Sequence, residues 1–457
     1  MSSEYRWSNY AVVGQNRYLY KGIPHRMLYH SAGPSLLLIK DSEYQAIDKA
    51  LPKPSDLTVF KVLLKRGIIR TDPPRTESSH IVSRLFHPDR HNAAFAIMTT
   101  NDCNMRCGYC GQCHRNVDMS KIGCEEVADH IINSAKRNNL SNINLRWYGG
   151  EPLLNPQAIF EISDRIERAS RCLGFSFDSE MASNGTLLST NLIKKLAKDA
   201  HLAKLDITLD GFQTDHDLSR PLLSGKPSYE RIKAELYNIS MLDLNQLNLL
   251  ITIRVNITNR NYDKIDKLVS DLGFISHDKH FSIQFMPVYE WGVNSRNYRP
   301  NRSVVNQSIV QCLAQANQMG IQVELLPLQR LNAPCIASTT MAELISVEGD
   351  IYSCTEYPLS LNDHKSHILG NIKECNSLPR NTDELDCYHL LLADSNCSRC
   401  PFFPVCGGGC PRKQIAHTFE CPNYKTTFSE RCNLIASKLG LEIIPRGAAA
   451  STFMPKP

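Results

Sequence analysis

Three cysteines stand close together in one short segment, where Cys103, Cys107 and Cys110 have the spacing C-x3-C-x2-C. A four-iron cluster normally takes four cysteine ligands, so three thiolates leave one iron open to a ligand that the protein does not supply. An open iron is a place where chemistry, and not only electron storage, can occur. The spacing therefore predicts a catalytic iron–sulfur site.

Other metal sites differ from this triplet in their spacing. Ferredoxin runs use other intervals, and zinc sites usually consist of separated C-x2-C pairs. A structural zinc site stays open as the alternative. Cys113 adds a second x2 step after Cys110, and we interpret it as a bystander or a weak alternative ligand.

The triplet, with Tyr109 directly before its last cysteine, resembles the signature of radical S-adenosylmethionine (SAM) enzymes. In that family the amine and carboxylate of SAM bind the open iron. The resemblance implies a [4Fe-4S] cluster held by Cys103, Cys107 and Cys110, and SAM as a second cofactor. Tyr109 takes the aromatic position of the signature and is a candidate cofactor-binding residue.

Composition limits the class of protein. The chain has 457 residues, and its net charge of +5 is divided over 51 basic and 46 acidic residues, which does not favour a nucleic-acid partner. No apolar run approaches the roughly 18 residues that span a membrane, and the N-terminus has no basic-then-apolar signal, so we expect a cytoplasmic protein with no membrane partner. Seventeen cysteines in such a chain indicate reduced thiols that hold metal.

The central part of the chain, residues 90–325, alternates strand-like and helix-like segments, which is typical of a parallel sheet wrapped by helices. The helix predicted over Glu125–Lys136 has Val127, Ile131 and Ala135 on one face. Together these segments predict an α/β fold with a partial (β/α)6 barrel of radical SAM type. The six predicted strands are Ala94–Thr99, Ile143–Tyr148, Phe177–Ala182, Lys204–Leu209, Leu249–Val255 and Phe281–Met286.

Residues 1–80 are predicted to form a separate first domain that ends near the linker signal Pro73-Pro74. A strand is expected over Ser35–Ile39, followed by helices from Ser42 to Ala50 and from Val59 to Arg66. This order resembles the winged-helix domains that bind the leader peptides of ribosomally made, modified peptides. A simple packing extension of the barrel is the alternative.

Reactive groups of parallel barrels gather on the loops after the strands. Gly149-Gly150-Glu151-Pro152 follows the second strand. There, paired glycines allow close backbone approach, and the strand-edge carbonyls and Glu151 can accept hydrogen bonds from an ammonium group. The segment resembles the one that binds the methionine amine of SAM.

Two later strands carry further candidates for SAM. Ser183 and Asn184 follow the third strand and offer groups suited to ribose hydroxyls. On the fifth strand, Arg254 would share a face with Thr252 and Asn256, and the resemblance gives such an arginine to the SAM carboxylate. Asp210-Gly211 and His216-Asp217, after the fourth strand, are expected to form only local turn and loop hydrogen bonds.

The C-terminal cysteines resemble a SPASM domain, which carries auxiliary four-iron clusters, and we place it over residues 330–435. The resemblance implies two such [4Fe-4S] clusters, one held by Cys397, Cys400, Cys406 and Cys421. The other would be held by Cys335, Cys354 and Cys410. The matching pattern is Cys335-x13-Gly349-x4-Cys354, then Cys397-x2-Cys400-x5-Cys406-x3-Cys410, then Cys421.

The second auxiliary cluster lacks a fourth ligand, because no cysteine stands a few residues before Cys335. It either keeps an open iron or recruits Cys312, Cys375 or Cys387. Cys432 is an alternative to Cys421, and a zinc ribbon made from Cys397, Cys400, Cys406 and Cys410 is the alternative to a cluster. Cys124 and Cys172 fall in predicted helices and are expected to be buried packing residues.

Taken together, these features imply a radical SAM/SPASM maturase of ribosomal peptides. Its partners would be a precursor peptide and an external one-electron donor of flavodoxin or ferredoxin type. Cleavage of SAM to a 5'-deoxyadenosyl radical would start an oxidation that forms a thioether, a carbon–carbon or a carbon–oxygen crosslink. Sulfatase-type formylglycine maturation is the runner-up, and an iron–sulfur electron-transfer protein and a zinc-bearing peptide scaffold are the rivals from other classes.

The oxidation needs a base for the released proton. Sulfatase-maturing relatives place an aspartate just after the cysteine that corresponds to Cys354, where this chain has Thr355 and then Glu356. Glu356 is the candidate base, with a plain surface glutamate as the alternative, and the departure weakens the formylglycine alternative. Residues 445–457 are expected to be a disordered tail.

Overall fold

The computed structural model describes residues 4–51, 53, 57–86, 89–289, 295–331, 335–360, 364–374, 378–379, 383–394 and 396–444. The predicted disordered tail, 445–457, and Cys375 lie outside these residues.

The strands are β1 (Arg6–Trp7), β2 (Ala11–Tyr20), β3 (Ile23–His30), β4 (Ser35–Lys40), β5 (Ile69–Arg70), β6 (Asn92–Thr100), β7 (Asn142–Gly149), β8 (Ser176–Ser183), β9 (Leu202–Thr208), β10 (Leu250–Ile257), β11 (Phe281–Pro287), β12 (Gln322–Val323), β13 (Ala342–Ile345), β14 (Asp350–Tyr352), β15 (Gly370–Asn371) and β16 (Glu442–Ile444). The α-helices are α1 (Asp41–Ala50), α2 (Thr58–Lys65), α3 (Pro74–Phe86), α4 (Lys121–Asn138), α5 (Pro156–Leu173), α6 (Thr190–Asp199), α7 (Gln213–Ser219), α8 (Tyr229–Ser240), α9 (Leu244–Leu247), α10 (Ile265–Asp271), α11 (Arg302–Gln318), α12 (Asp383–Asp394), α13 (Phe403–Cys406), α14 (Pro411–Ile415), α15 (Asn423–Thr426) and α16 (Phe428–Lys438). Short 3-10 helices are Pro152–Leu154, Gly273–Ile275, Ser295–Tyr298, Ile336–Ser338 and His364–His367.

The chain forms two compact units. One comprises residues 1–88, 324–339 and 381–457, and the other comprises residues 89–323 and 340–380. The N-terminal residues and most of the cysteine-rich C-terminal segment therefore share a unit. The division into separate domains over 1–80, 90–325 and 330–435 stays a prediction.

A ten-stranded sheet is the centre of the second unit, in the order β12-β11-β10-β9-β8-β7-β6-β13-β14-β15. From β6 to β11, neighbouring strands run parallel, and each is separated from the next by helical chain. The predicted α/β fold and its six parallel strands are confirmed.

Alternating burial explains why these segments are strands. In β7 the side chains of Ile143, Leu145 and Trp147 are buried, and the residues between them are only half-buried. The predicted first helix is also present: α4 buries Val127, Ile131 and Ala135 on one face, and Ser120 caps it by accepting from the backbone N–H of Gly123. Packing apolar faces of helix and strand together positions the strand ends, where the candidate site lies.

The sheet extends beyond the six predicted strands. β12 pairs parallel to β11, and β13 pairs parallel to β6. β14 and β15 continue the sheet as antiparallel strands. These additions are too short to show a clear alternation in the sequence, since β12 has only two residues.

A four-stranded antiparallel sheet in the order β16-β2-β3-β4 organises the other unit. The predicted strand and both predicted helices of the first domain are present as β4, α1 and α2, whereas β2 and β3 were not predicted. The linker expected at Pro73-Pro74 is wrong, because Pro74 begins α3. Proline is favoured at the first turn of a helix, where its missing N–H costs nothing. The winged-helix resemblance stays a prediction.

Apolar residues from both ends of the chain fill the core of this unit. One cluster joins Tyr18, Met27 and Tyr29 of the sheet to Phe402 and Phe428. The hydroxyl of Tyr29 donates to the carbonyl of Pro327 at 2.6 Å. The C-terminal cysteines are thereby attached to a packed sheet.

None of the described helices has the length and apolar composition needed to cross a bilayer.

Candidate functional site

The three cysteines of the C-x3-C-x2-C segment face one cavity of about 190 Å³, at the end of the parallel strands. The cavity lies within the second unit, and it brings together residues from the loops after β6, β7 and β8. Its described lining consists of Cys103, Met105, Cys107, Tyr109, Cys110, Gln112, His114, Tyr148, Gly149, Gly150, Ala182, Ser183, Asn184, Thr208 and Arg220.

The loop that carries the cysteines is held by hydrogen bonds close to the end of β6. The backbone N–H of Asp102 donates to Thr100 Oγ1 at 3.0 Å, and that of Cys103 donates to Asp102 Oδ1 at 2.7 Å. The guanidinium of Arg106 donates to the carbonyl of Cys103 at 2.6 Å. The backbone N–H of Cys110 donates to the carbonyl of Cys107 at 3.0 Å, closing a turn.

Gly149 and Gly150 lie against this loop too closely for any side chain. A Cβ atom on Gly149 would lie 2.2 Å from the carbonyl oxygen of Thr100, and one on Gly150 would lie 2.1 Å from that of Asp102. Gly149 also has a φ of 132°, which favours glycine. The paired glycines therefore permit the strand end and the cysteine loop to share one cavity.

The carboxylate of Glu151 is buried and already has three donors. It accepts from the hydroxyl of Ser183 at 2.8 Å and from the backbone N–H groups of Asn184 at 2.7 Å and Leu153 at 3.1 Å. Burial raises the pKa of the carboxyl, and these three bonds oppose that increase. Glu151 thus joins the end of β7 to the end of β8, and Pro152 starts the short helix that follows it.

Ser183 and Asn184 lie beside the cysteines, as their place in the sequence predicts. The side-chain amide of Asn184 donates to Asn104 Oδ1 at 2.8 Å and lies 3.9 Å from the sulfur of Cys103. The backbone N–H of Gly185 donates to the Ser183 hydroxyl at 3.0 Å. The third strand end is thereby fixed to the loop after the first.

The hydroxyl of Tyr109 is the centre of a buried polar network. It donates to Asp210 Oδ2, and it accepts from the guanidinium of Arg220 at 2.5 Å and from the amide of Asn256 at 3.0 Å. Arg220 also forms an ion pair with Asp210 at 3.5 Å. Burial first of all, and the nearby negative groups next, raise the pKa of Tyr109 well above its usual range.

Of the described residues, Arg220 is the arginine that lines the cavity, and it was not predicted. Arg254 is exposed on β10, and its guanidinium donates to Asn256 Oδ1 at 3.2 Å. Asp210 was expected to bond only locally, yet it reaches Tyr109. His216 and Asp217 do bond locally: His216 accepts from the N–H of Asp210 and Asp217 from that of Ser228.

The lining of the cavity fits a thiolate-ligated cluster and a polar ligand. Burial raises the pKa of Cys107 to about 12 and raises those of Cys103 and Cys110, so these thiols need a metal to become thiolates at neutral pH. Two polar atoms of the lining, Nδ1 of His114 and Nε of Arg220, are buried without a hydrogen-bond partner. An unpaired buried polar atom is costly, and a bound polar group would remove that cost.

Glu356, the candidate base, lies near the same site. Its backbone N–H donates to the sulfur of Cys354 at 3.5 Å. Burial, followed by the charges of Glu356 and Cys354, raises the pKa of Tyr148 well above its usual range. Glu356 also adds to the increase in the pKa of Cys110, which is due mainly to burial. A carboxylate is therefore available close to the cysteine cavity.

In the unit that contains the N-terminal sheet, four C-terminal thiols lie close enough to interact. The pKa of Cys406 is raised to about 12 by burial and further by Cys400, Cys397 and Cys421. The ammonium group of Lys425 donates to the sulfur of Cys421 at 3.6 Å. These four cysteines are the set that the SPASM resemblance implies for one cluster.

Cys335 and Cys410 of the second predicted set lie near Tyr388, whose pKa is raised by burial and then by Cys406, Cys335, Cys397 and Cys410. The hydroxyl of Tyr388 donates to the carbonyl of Gly407 at 2.7 Å. Cys354 belongs to the other compact unit, and its assignment to this cluster stays a prediction.

The remaining cysteines are placed differently. Cys432 is fully buried in the apolar cluster around Tyr18 and Met27, which favours Cys421 as the ligand. Cys312 is buried in α11, and Cys387 is exposed on α12. Cys124 is buried as expected, whereas Cys172 is exposed, so the packing role expected of it is wrong: it lies on the solvent side of α5.

Among the described residues, no three histidine, cysteine, aspartate or glutamate side chains converge as they would around one metal ion. In a cluster, each thiolate binds a different iron, so its ligands need not converge on one point. The thiols are thus not arranged as a preformed single-ion site.

The central part of the chain is similar to a known family. Residues 97–272 match the radical SAM superfamily. The chain is 22% identical over 363 residues to the cysteine-type anaerobic sulfatase-maturating enzyme of Clostridium perfringens strain 13, covering 72% of this chain and 93% of that one. It is 23% identical over 370 residues to the serine-type enzyme of Bacteroides thetaiotaomicron, covering 70% and 82%.

Solved structures show the same fold. Native anSMEcpe with bound AdoMet superposes with a TM-score of 0.56 at 18% identity, covering 76% of this chain and 99% of that chain. The same enzyme with AdoMet and the Cp18Cys peptide gives a TM-score of 0.55 at 17% identity, with the same coverage.

Proposed function

This chain carries a radical SAM domain, whose cofactors are SAM and a [4Fe-4S] cluster, and we propose that it oxidatively modifies a ribosomal precursor peptide. The product would be a thioether, a carbon–carbon or a carbon–oxygen crosslink. An external one-electron donor of flavodoxin or ferredoxin type would supply the reducing electron.

One observation carries the proposal. Cys103, Cys107 and Cys110 line the same cavity as Gly149, Gly150, Ser183 and Asn184. These are the residues that the sequence marks for a three-cysteine cluster and for SAM, and they come from three successive strand ends.

When bound in this cavity, SAM and the cluster would supply a hydrogen-abstracting species. The chain's own residues would bind and orient these cofactors in the cysteine cavity. The three thiols would hold the cluster, and the strand-end backbone at Gly149 and Gly150 would accept from the methionine amine of SAM. Glu151 positions Ser183 and Asn184, because its carboxylate accepts from both. Bound ligands that fill the cavity would keep out water that could quench a reactive species.

The polar network around Tyr109 holds Arg220 and Asp210 beside the cysteines that would hold the cluster. Arg220 offers a buried guanidinium, which suits a carboxylate or the negative charge of a thiolate-ligated cluster. Arg254 stays the candidate for the SAM carboxylate from the resemblance, although it is exposed on β10, bonds Asn256 and does not belong to the described lining of the cavity.

The C-terminal thiols support an oxidative outcome. Cys397, Cys400, Cys406 and Cys421 would hold one auxiliary [4Fe-4S] cluster, and Cys335, Cys354 and Cys410 the other. Such clusters can accept the electron left on the substrate after bond formation, since cysteine ligation allows a wide range of potentials. Glu356 would take the proton released in that step.

Formylglycine maturation is the second candidate, and the names of the sequence relatives favour it. The structure of anSMEcpe with the Cp18Cys peptide supports a peptide substrate for either candidate. The residue after Cys354 favours a crosslink over formylglycine, because this chain has Thr355 where the sulfatase-maturing relatives place an aspartate.

The first test uses protein reconstituted anaerobically with iron and sulfide, then given SAM and dithionite. We expect 5'-deoxyadenosine from the wild type and from Cys113→Ala, and none from Cys107→Ala. Cys113 is the matched control, since it follows the triplet without facing the cavity. Iron without nucleoside would favour the electron-transfer protein, and zinc without iron would favour the scaffold.

A second measurement separates the two modifications once a peptide is processed. A crosslink and an oxidised serine both remove two hydrogens, so the mass alone is not decisive. Labelling with a hydrazide detects the aldehyde of formylglycine. We expect no labelling of the product, and a labelled product would establish the second candidate.

A further inference from the structure

A cationic groove lies on the unit that contains the N-terminal sheet. None of its lining residues belongs to the described lining of the cysteine cavity. It is an open recess with a volume of about 520 Å³. Its lining combines the β3–β4 turn at Gly33 with Lys65, Arg66 and Arg330. We name these four residues the basic groove.

The cations of the basic groove have no carboxylate partner in the part of the chain that the structure describes. Lys65, Arg66 and Arg330 are exposed, and none forms an ion pair with a residue that the structure describes. The described lining contains no carboxylate. Three uncompensated cations around one recess repel each other, and an anion placed among them would relieve that repulsion.

A buried imidazole under the groove gives an independent sign of a missing partner. His30 is 3% exposed, and neither of its ring nitrogens has a hydrogen-bond partner. A Cβ on Gly33 would lie 3.5 Å from its Nδ1, so the ring lies directly beneath the lining. Since buried polar groups are nearly always bonded, the ring has an unmet hydrogen-bonding capacity next to Gly33, although its own atoms do not line the groove.

Arg84 also has buried donors without a hydrogen-bond partner. Its Nε and Nη2 are buried without a partner, and its Nη1 only reaches the carbonyl of Ala32 at 3.4 Å. Burial lowers the pKa of His30 to about 4 and that of Arg84, and Arg330 adds to both decreases. Glu77, which opposes the decrease at His30, is already bonded to Arg6 at 2.9 Å.

Helix capping explains only part of this arrangement. Lys65 lies in the last turn of α2 and Arg66 caps it, where cations favourably face the helix dipole. Arg330 is outside that helix. The groove therefore has more positive charge than α2 requires.

We propose that the basic groove binds carboxylate side chains of an acidic segment of the peptide substrate. The inference rests on the proposed function for the identity of the partner. Arg330 and Arg66 would form charge-assisted hydrogen bonds to glutamate or aspartate, and Gly33 leaves room for the chain above His30. The recess is concave, which suits a flexible peptide better than the flat face of a folded protein.

The test measures fluorescence anisotropy of a labelled peptide of alternating glutamate and serine, with the full chain and at low salt. The comparison probes are the glutamine–serine and lysine–serine peptides and oligothymidylate. We expect binding of the glutamate peptide alone, weakening as salt increases. Arg330→Gln should weaken it about threefold, and Lys65→Gln with Arg66→Gln and Arg330→Gln about tenfold or more.

Lys61→Gln is the matched control, since Lys61 is an exposed cation of the same helix outside the groove. It should change the affinity by less than about twofold. Equal binding by wild type and the triple variant would overturn the proposal, as would tighter binding of oligothymidylate. Arg330→Glu, with binding switched toward the lysine peptide, provides support that does not depend on the triple variant folding.

Formation of 5'-deoxyadenosine in the absence of peptide separates this proposal from the proposed function. The groove variants should keep the wild-type amount, because they do not touch the cysteine cavity. Nucleoside production without peptide binding would overturn the groove alone. Absence of nucleoside from the wild type would overturn the enzyme proposal and leave the anisotropy result standing.

Discussion

The guanidinium of Arg220 donates to the hydroxyl of Tyr109 at 2.5 Å, so a buried cation lies directly beside the loop of three cysteines. Its other partner, Asp210, has no solvent exposure. The network has the two opposite charges that make burial tolerable, and removal of either leaves the other unpaired in a low-dielectric site.

Arg220→Met should therefore lower the free energy of unfolding by roughly 3–5 kcal/mol, because Asp210 stays buried without its cation. Chemical denaturation of the metal-free protein measures this change. Arg168→Met is the control: Arg168 is exposed and pairs with Asp164 one turn earlier, so its loss should cost about 0.5 kcal/mol. Similar stabilities for the two variants would contradict the role given to Arg220.

The Glu151 carboxylate is expected to contribute both to the stability of the fold and to the binding of SAM. Glu151→Gln keeps the size of the side chain but replaces one acceptor oxygen by a donor, which then faces the Ser183 hydroxyl or the Asn184 N–H. We expect a loss of about 1–3 kcal/mol in stability, a higher KM for SAM and an unchanged iron content. Iron and SAM-dependent nucleoside formation are measured on the same preparation. A variant that loses iron instead would show that Glu151 supports the cluster loop.

The barrel could be predicted because its strands repeat a strong local pattern. Ile143, Leu145 and Trp147 alternate with polar residues in β7, whereas β6 is a nearly continuous buried run. Their order then follows from the chain, since parallel strands joined by helices lie side by side. Strands such as β12 and β13 depend on pairing with an existing sheet edge, which no local pattern reveals.

The cavity was predicted only in part, for a related reason. Cysteines and paired glycines have spacing that can be recognised in a sequence, whereas Arg220 lies in a loop between α7 and α8 without a repeated neighbour. Its guanidinium donates to Tyr109, a residue more than a hundred positions earlier in the chain. The sequence signal for this network was Asp210 next to Gly211. An Asp-Gly pair is typical of a local turn, so it does not predict the distant bond to Tyr109.

Cys107 makes the stability of the metal-free protein depend on pH. Its pKa is raised by burial from 9.0 to about 12, so the folded protein keeps a proton that the unfolded chain loses near pH 9. The stabilisation is complete below pH 9 and is lost as the pH rises toward 12. When the pH is raised from about 8 to about 10, the free energy of unfolding should decrease by about 1 kcal/mol less in Cys107→Ala than in the wild type.

Urea unfolding of the metal-free proteins at the two pH values measures this difference. Cys113→Ala should keep the pH dependence of the wild type, because that thiol does not line the cavity. An identical pH dependence for wild type and Cys107→Ala would show that the thiol is not desolvated in the fold.

Glu356 should act after SAM cleavage. Glu356→Gln is expected to keep 5'-deoxyadenosine formation in the presence of peptide, while the rate of product formation decreases by about 100-fold, a typical effect of losing a positioned base. The two rates are followed together by mass spectrometry. Glu374→Gln is the control, since Glu374 is an exposed residue of the same unit. Product formation at the wild-type rate in Glu356→Gln would overturn the assignment.

Lys425 should tune the auxiliary cluster that Cys397, Cys400, Cys406 and Cys421 are proposed to hold. Its ammonium group donates to Cys421 at 3.6 Å, and its pKa is raised because the negative groups of Cys400 and Cys421 outweigh the opposing effect of burial. A cation near a cluster stabilises the reduced form, which has one more electron. Lys425→Met should therefore lower the reduction potential of that cluster, with the iron content preserved. Lys438→Met, which changes an exposed lysine on α16, should leave the potential as in the wild type. Potentiometric titration followed by electron paramagnetic resonance measures both, and an unchanged potential in Lys425→Met would place Lys425 outside the cluster's influence.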